Sequence, residues 1–215
     1  MLLCDVGNSN ASILDGENFY SLSIKEFLRF KSDKIVFYIN VNERLKDILA
    51  NKTNYINIEP YFDFNSTYKG LGIDRIAACY TIDNGIIIDA GSAISTDLMK
   101  DTKHLGGFIL PGFISYQKAF EDISIRLKYD LNKNVNIHDI PLNTIDAMSY
   151  ASFKSIILTI KDFAKDKKLY FTGGDGEYLS SFFDNSIYDK LLIFKGMKKA
   201  IKENEIYLRG FYERI

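Results

Sequence analysis

Two apolar runs along the chain are each interrupted by a polar turn and then resume as extended segments. The first is residues 1–14, with the turn Asp5-Val6-Gly7-Asn8-Ser9 at its centre. The second is residues 85–99, with the turn Asp89-Ala90-Gly91-Ser92 at its centre. Short apolar runs bounded by turn residues predict strands, so each copy predicts a strand, a tight turn and a returning strand. The repetition predicts a chain made of two similar halves.

The remaining pattern predicts alternating strands and helices. Each half is expected to contain an antiparallel meander of three strands followed by parallel units, in the order βββαβαβ. Further strands are predicted at 19–23, 34–39, 55–58, 104–110, 168–171 and 191–194. Helices are predicted at 24–30, from Gly72 onward, at 113–129, and near 197–203 and 206–213. Another helix is predicted to end at residue 50 after a cap at Asn40 or Asn42. The longest is predicted at 144–165 after a cap at Asn143 or Thr144.

Both turns carry residue types that bind phosphate. Gly7 and Asn8 tolerate positive φ, so successive backbone N–H groups could point into one concavity and hold a phosphate together with the Ser9 hydroxyl. Asp5 could then hold a metal ion. For a single copy, an ordinary β-hairpin with a capped turn explains the same residues. Two copies facing each other would clasp a polyphosphate, with a metal ion near Asp5 and Asp89 offsetting the charge.

Composition narrows the possible partners. The chain has 215 residues, 47% of them hydrophobic, which is enough for one large domain or two small ones. Its 27 basic and 28 acidic residues give a net charge of −1, so no overall field attracts nucleic acid or an anionic membrane. The locally basic run 195–202 has the spacing of a solvated helix face.

The cysteines and histidines indicate no metal site or covalent chemistry. Cys4 and Cys79 stand alone in apolar surroundings, as thiols do in a reducing cytoplasm. His104 and His138 are in or beside turns, and we expect both to be surface residues rather than catalysts. No basic leader and no apolar stretch of membrane-spanning length is present, which predicts a soluble cytoplasmic protein.

Three glycine-containing segments carry further candidate chemistry. Gly72-Ile73-Asp74-Arg75 opens a predicted helix, where Asp74 either complements the helix dipole or acts as a catalytic carboxylate. Thr172-Gly173-Gly174-Asp175 follows a predicted parallel strand, which is where nucleotides bind in α/β folds. At Gly106-Gly107 and Gly112 the backbone could approach a ligand closely.

Together these segments resemble the type III pantothenate kinases, a family of the actin-like superfamily that also includes acetate and sugar kinases, Hsp70 and actin. The resemblance implies an α/β fold of two actin-like (ribonuclease H-like) βββαβαβ halves, residues 1–83 and 84–215, with a nucleotide cleft between them. It implies phosphorylation of pantothenate by ATP to 4'-phosphopantothenate, the first step of coenzyme A biosynthesis. The motifs, in the family's order, are Asp5-Val6-Gly7-Asn8-Ser9, Gly72-Ile73-Asp74-Arg75, Asp89-Ala90-Gly91-Ser92-Ala93 and Gly106-Gly107-Phe108-Ile109-Leu110-Pro111-Gly112.

The resemblance also implies roles for individual residues. The family's catalytic base corresponds to Asp74. The position that binds the family's monovalent cation, potassium or ammonium, corresponds to Asp89. Asp5 is the candidate ligand for Mg²⁺, which accompanies ATP in phosphoryl transfer. Residues implied in ATP and phosphate binding are Asp5, Val6, Gly7, Asn8, Ser9, Asn10, Ala11, Ser12, Ser92, Gly173 and Gly174. Residues implied in pantothenate binding are Tyr68, Gly72, Ile73, Asp74, Arg75 and Thr144.

The chain departs from the family at several positions. Both turns have Ser where Thr is more common, which keeps the hydroxyl. The segment 65–71 lacks the family's Asn-Pro, and Tyr68 lies closer to Gly72 than the usual substrate-contacting Tyr. The chain is also shorter than most members. A homodimer is implied, in which Thr144 reaches the site at the interface, and the exposed apolar side of the predicted 144–165 helix is the candidate surface.

Two alternatives to pantothenate phosphorylation remain open. One is a kinase of the same fold that acts on another small acceptor, such as a sugar, an acetate-like acid or polyphosphate. The other is a nucleotide-dependent regulatory or filament protein, because actin-like folds also hydrolyse ATP without a small acceptor and change their domain angle instead. The Gly72–Arg75 motif favours a kinase over the second alternative.

Overall fold

A computed structural model describes residues 1–205, and its N-terminal part is built on a five-stranded sheet. The central strand β1 (Leu2–Val6) pairs antiparallel with β2 (Asn10–Asp15) and parallel with β4 (Val36–Asn40). With β3 (Asn18–Ser23) and β5 (Tyr55–Asn57), the order is β3-β2-β1-β4-β5. The predicted meander followed by parallel strands is confirmed, because short turns join the antiparallel strands and longer helical connections join the parallel ones.

Short helices accompany this first sheet. The first helix begins at a capping box formed by Ser23 and Glu26, which satisfies backbone N–H groups that have no partner within the helix. Asn42, one of the two predicted caps, accepts a hydrogen bond at the start of the helical segment before residue 50. The helices are α1 (Ile24–Arg29), α2 (Lys46–Ala50) and α3 (Ile73–Cys79), with 3₁₀ turns at Glu43–Leu45 and Glu59–Tyr61.

A second five-stranded sheet follows in the chain. Its strands are β6 (Gly85–Ala90), β7 (Ala93–Lys100), β8 (Lys103–Pro111), β9 (Leu169–Thr172) and β10 (Ser186–Tyr188). The order is β10-β9-β6-β7-β8, with β9 parallel to both β6 and β10. The second half therefore repeats the plan of the first, as the two similar turns predict.

Within residues 85–205, four helices accompany this second sheet. They are α4 (Phe113–Ile123), α5 (Thr144–Ala164), α6 (Gly176–Ser180) and α7 (Leu192–Glu203), with a 3₁₀ turn at Ile125–Leu127. The helix predicted over 113–129 is shorter than expected, because Ser124 has extended backbone and caps the 3₁₀ turn with its side chain. The helix predicted near 206–213 lies outside the described residues.

The strand predicted at 191–194 is wrong, because these residues open α7. The apolar run Leu192-Ile193-Phe194 continues as Met197, Ala200 and Ile201, all buried, which is the spacing of one helix face. The lysines between them are exposed, as predicted for a solvated helix face. Among the described residues the last strand is β10, which has only three residues, and so short a run carries no recognisable period in the sequence.

Each sheet has its own hydrophobic core. The first core includes Leu2, Cys4 and Val6 of β1 together with Phe27 of α1. The second includes Ile86 and Ile88 of β6 together with Phe153, Ile156 and Ile160 of α5. No helix among residues 1–205 combines the length and the apolar character that crossing a bilayer would take.

By internal contacts the chain divides into two compact units. Unit 1 contains residues 1–84 and 99–106 and the described chain from residue 191, and unit 2 contains residues 85–98 and 107–190. The first sheet lies in unit 1, and β6, β9 and β10 lie in unit 2. The division of the sequence at 83/84 stays a prediction.

Candidate active site

The first polar turn joins β1 to β2. Asp5 is paired with Ser12 across the two strands, and the Gly7 N–H donates to the Asn10 carbonyl at 2.9 Å. Neither Gly7 nor Asn8 has a positive φ, so the left-handed conformation that their types tolerate does not shape this turn. Space at position 7 is limited, since a Cβ there would lie 3.1 Å from the Asn10 carbonyl oxygen.

Asn42 supports this turn from beyond the end of β4. Its side chain is buried, and its Nδ2 donates to the carbonyl oxygens of Gly7 and Asn8 at 3.3 and 3.5 Å. Its Oδ1 accepts from the Arg44 N–H at 3.1 Å, so the cap that the sequence assigns to Asn40 or Asn42 is Asn42. One buried amide therefore holds both a helical turn and the candidate phosphate turn. The sequence indicated only the first of these, because the second depends on the parallel pairing of β1 with β4.

Asp74 and Arg75 form the first turn of α3, after Gly72 at the N-cap. The Arg75 N–H donates to Asp74 Oδ1 at 2.8 Å, so the carboxylate is turned back onto the start of its own helix. A Cβ at position 72 would lie 2.5 Å from that same oxygen. The glycine of the motif thus makes room for the carboxylate, and the aspartate is held in one orientation.

Tyr68 lies next to Arg75 despite its short spacing from the motif. The Arg75 side chain is buried, with 6% of its surface exposed, and its Cζ lies 4.8 Å from the centre of the Tyr68 ring. A guanidinium over an aromatic face is a cation–π contact, which is stronger when the charge is desolvated. The Tyr68 side chain is partly exposed, so this pair combines a buried charge with an accessible ring.

The prediction that His104 is a surface residue is wrong, because only 3% of its surface is exposed. Its Nδ1 shares a hydrogen bond of 2.7 Å with the Ser66 hydroxyl, and its ring lies against Tyr68 and Phe64. A turn in the sequence does not ensure exposure, since another segment of the chain can cover it. The loop that covers His104 is nearly forty residues earlier in the chain. His138 is exposed as expected.

The second polar turn and the glycine-rich loop lie together in unit 2. Asp89 is paired with Thr172 where β6 and β9 end side by side. Gly173 has φ +83°, and a Cβ there would lie 2.5 Å from Asp89 Oδ1 and 2.4 Å from the Ala90 carbonyl oxygen. The Asp175 N–H donates to that carbonyl at 3.0 Å. Two segments that the sequence assigns separately to the nucleotide are therefore adjacent.

Gly112 packs against the same turn. Its N–H donates to the Ser92 carbonyl at 3.1 Å, and a Cβ there would lie 2.2 Å from the Gly91 carbonyl oxygen. A Cβ at Gly107 would likewise lie 2.0 Å from the Thr96 carbonyl oxygen. The group close to each glycine is the protein's own backbone, and close approach of a ligand stays a prediction. Ser92 itself is exposed at the tip of the turn.

Lys133 anchors the glycine-rich loop and was not indicated by the sequence. Its Nζ lies 2.7 Å from Asp175 Oδ1, and its carbonyl accepts from the Tyr178 hydroxyl at 2.8 Å. The same Nζ lies 5.4 and 5.3 Å from the ring centres of Phe113 and Tyr178. Lys133 sits in a polar connection with no motif, so only the tertiary structure identifies it.

Thr144 is the exposed first residue of α5, and its neighbours form a hydrogen-bonded cap. Asn143 Oδ1 accepts from the Asp146 N–H, and Asn143 Nδ2 donates to the Asp146 carboxylate. Asn132 donates to the other Asp146 oxygen at 2.8 Å. The amide donors of Asn132 and Asn143 lower the pKa of Asp146 below its usual value. Asn143, one of the two predicted caps, is therefore the N-cap.

The donor chemistry around Asp89 fits a hard cation. The Asp89 carboxylate and the Ala90 carbonyl both approach Gly173, and oxygen donors of these two kinds bind alkali and alkaline-earth ions. No group of three or more His, Cys, Asp or Glu side chains is gathered for metal binding within residues 1–205. The fit therefore rests on carboxylate and backbone oxygens and not on a cluster of ligating side chains.

The two mixed five-stranded sheets with their helices are those of the actin-like fold. An activator of 2-hydroxyisocaproyl-CoA dehydratase from Clostridium difficile matches with a TM-score of 0.51 and 13% identity, covering 95% of this chain and 96% of that one. At this identity the likeness shows the fold alone.

The chain belongs to the type III pantothenate kinase family, whose model matches residues 40–166. A relative from Campylobacter jejuni named type III pantothenate kinase is 59% identical over 204 residues, covering 95% of this chain and 98% of the relative. A relative from Campylobacter hominis with the same name is 47% identical, covering 94% and 98%. A solved Campylobacter jejuni structure, named for the Baf family of transcriptional activators, has a TM-score of 0.87 and 58% identity, covering 95% and 99%.

Proposed function

We propose that the protein is a pantothenate kinase. It transfers the γ-phosphoryl group of ATP to the primary hydroxyl of pantothenate, giving 4'-phosphopantothenate in the first step of coenzyme A biosynthesis. The observation that carries this proposal is the group formed by Asp74, Arg75 and Tyr68 at the start of α3. It occurs in a chain that matches named pantothenate kinases over nearly its full length.

Asp74 is the proposed general base. Phosphoryl transfer requires mainly positioning and charge neutralisation, and one carboxylate is enough to orient the attacking hydroxyl and accept its proton. The bond from the Arg75 N–H fixes the orientation of that carboxylate before substrate arrives. Arg75 and Tyr68 are the proposed pantothenate contacts, the guanidinium for an oxygen of the substrate and the ring for its apolar part. Gly72, Ile73 and Thr144 are the other proposed contacts.

The two polar turns are the proposed ATP contacts. Residues 5–12 would bind phosphate through backbone N–H groups and the Ser9 hydroxyl, and Ser92, Gly173 and Gly174 would contact the nucleotide. Asp89 would hold a monovalent cation, potassium or ammonium, and Asp5 is a proposed Mg²⁺ ligand. Bound there, these ions would neutralise phosphate charge.

We also propose a cytoplasmic homodimer that binds neither nucleic acid nor membranes. Both cysteines are buried thiols, which suits a reducing compartment. Leu158 on α5 is 55% exposed, and Leu142 just before this helix is 94% exposed. Apolar side chains this accessible suit an interface between copies of the chain. The proposed dimer surface is therefore the exposed side of α5 with the segment that precedes it.

The direct test is ADP release by the purified protein supplied with ATP and Mg²⁺, with and without pantothenate, in parallel K⁺ and Na⁺ buffers. We expect turnover only with pantothenate, and faster turnover in K⁺. Equal rates in the two buffers would remove the cation role from Asp89 while leaving the substrate in place. Absence of turnover from folded protein in both buffers would refute pantothenate as the substrate.

A second candidate is a nucleotide-dependent regulator, because one solved relative at 58% identity is named for a family of transcriptional activators. This function requires ATP binding but no small acceptor. In the same assay it would give ADP release that is independent of pantothenate. A panel of other hydroxyl and acid acceptors would separate it from a kinase of the same fold with a different substrate.

A further inference from the structure

We propose that His104 is a positioning residue for the pantothenate site: with Ser66 it holds Tyr68 against Arg75. This inference rests on the proposed function for the identity of the substrate. The four residues and their contacts all lie in unit 1. None of the family motifs described above contains His104 or Ser66.

His104 first anchors the backbone of the preceding loop. Its N–H donates to the Asn65 carbonyl at 3.1 Å, and residues 66 and 104 form an isolated parallel β-bridge. The ring is buried and lies 5.8 Å from the Phe64 ring, so the loop is fixed by both backbone and side-chain contacts. These contacts fix the position of the loop at residues 64–66, although it is not part of a sheet.

The Ser66 hydroxyl connects this anchor to Tyr68. Its Oγ shares the 2.7 Å hydrogen bond with His104 Nδ1 and accepts from the Tyr68 N–H at 3.0 Å. One oxygen atom therefore ties the imidazole to the backbone of the residue that carries the aromatic ring. A hydroxyl bound on two sides has little rotational freedom, so the Tyr68 backbone has little freedom either.

The Tyr68 ring is in turn held between two side chains. The His104 ring lies 5.9 Å away in an edge-to-face arrangement, and the Arg75 guanidinium carbon lies 4.8 Å from the ring centre. His104 thus fixes both the backbone and the ring of Tyr68. The ring then covers a buried guanidinium, which limits the orientations that Arg75 can offer to a substrate.

This arrangement predicts a specific effect on substrate affinity. A pocket whose side chains are ordered before binding pays less conformational entropy when the ligand arrives. Loosening Tyr68 and Arg75 should therefore weaken the binding of pantothenate. It should leave the affinity for ATP unchanged, because the candidate ATP contacts are on other segments.

The test compares His104→Ala, Ser66→Ala and the double variant with wild type. We expect each single variant to raise the KM for pantothenate about tenfold, with kcat and the KM for ATP within about twofold of wild type. The double variant should raise the KM by less than the product of the two single effects, because both single variants remove the His104–Ser66 bond. His104→Asn, whose amide can reach Ser66 from the Nδ1 position, should restore the KM to within about threefold.

Hydrogen exchange provides a readout that needs no substrate. We expect the peptide spanning residues 61–72 to exchange faster in His104→Ala and Ser66→Ala than in wild type. His138→Ala, which alters the exposed histidine, is the matched control and should change neither exchange nor kinetics.

The outcomes separate the positioning role from the proposed function. Unchanged exchange, or an equal rise in both KM values in folded His104→Ala protein, would overturn the role of His104. Faster exchange together with a wild-type enzyme inactive on pantothenate would support the positioning of Tyr68 and refute the substrate.

Discussion

At the scale of single residues, the structure shows why the motif positions have the residue types they have. The glycines of three motifs stand where a Cβ would meet a carboxylate or carbonyl oxygen, as at Gly72, Gly112 and Gly173. Two of these contacts involve Asp74 and Asp89, the proposed base and the proposed cation ligand. Gly72 and Gly173 therefore leave room for the two carboxylates that we propose to be functional.

The proposed base gives the first residue-scale prediction. Asp74→Asn keeps the shape of the side chain but removes its capacity to accept a proton, so we expect kcat to fall by about a hundredfold or more. ATP binding should be largely retained, because Asp74 is proposed to contact only the acceptor. Steady-state kinetics and a nucleotide titration check this, with exposed Asp33→Asn as the control. An unchanged kcat would remove Asp74 from the reaction.

Gly173 gives the second residue-scale prediction. Gly173→Ala would place a Cβ against the Ala90 carbonyl and the Asp89 carboxylate at a positive φ, so we expect it to destabilise the fold by about 1–3 kcal/mol. Stimulation by K⁺ should be reduced as well. Gly174→Ala is the matched control for stability, since its Cβ would have no atom within 4 Å. Equal urea midpoints for the two variants would contradict the steric explanation.

At the scale of elements, the start of α5 is organised by amides around a carboxylate. Asn132 and Asn143 donate to Asp146, and Asn143 also caps the helix. Thr144, a proposed substrate contact, lies within this cap. The order of the cap therefore bears on whether Thr144 is held in place.

The lowered pKa of Asp146 predicts how this cap responds to pH. A carboxyl group whose pKa is lower in the folded state stabilises the fold above its unfolded value, which is near 3.8. That contribution is lost as the pH falls through the lower folded value. When the pH is lowered from 7 to 3, we expect the free energy of unfolding to fall less in Asp146→Asn than in wild type. Urea unfolding at the two pH values measures this, and identical pH dependence would show that Asp146 contributes nothing.

At the scale of the whole molecule, Leu158 on α5 and Leu142 just before it leave apolar surface exposed in a single copy of the chain. We expect wild type to be a dimer in light scattering and Leu158→Glu to shift it toward monomer. A dimer-dependent site would also raise the KM for pantothenate in that variant. Ile48→Glu, at a comparably exposed position on α2, is the control. A wild-type monomer would refute the proposed assembly.

The sequence predicted most of the architecture because the relevant signals are local. The alternation of the strands, a cap at Asn143 or Thr144 and the two polar turns all follow from neighbouring residue types. It failed at residues 191–194, where a four-residue apolar run fits a strand or a helix and only the continuation to Ile201 distinguishes them. It also missed the three-residue strand β10, whose stability comes from its pairing with β9.

The sequence alone determined which residues could carry the chemistry, namely the two Asp-x-Gly turns, the Gly-x-Asp-Arg motif and the glycine-rich loop. Only the tertiary structure decided which of these segments are neighbours. Asp89 meets Gly173 although the two residues are distant in the chain. Tyr68 meets Arg75 although its spacing from the motif differs from that of the family. The tertiary structure also identified the supporting residues Asn42, Lys133 and His104. Their roles arise from contacts across long sequence separations, and no local pattern encodes such contacts.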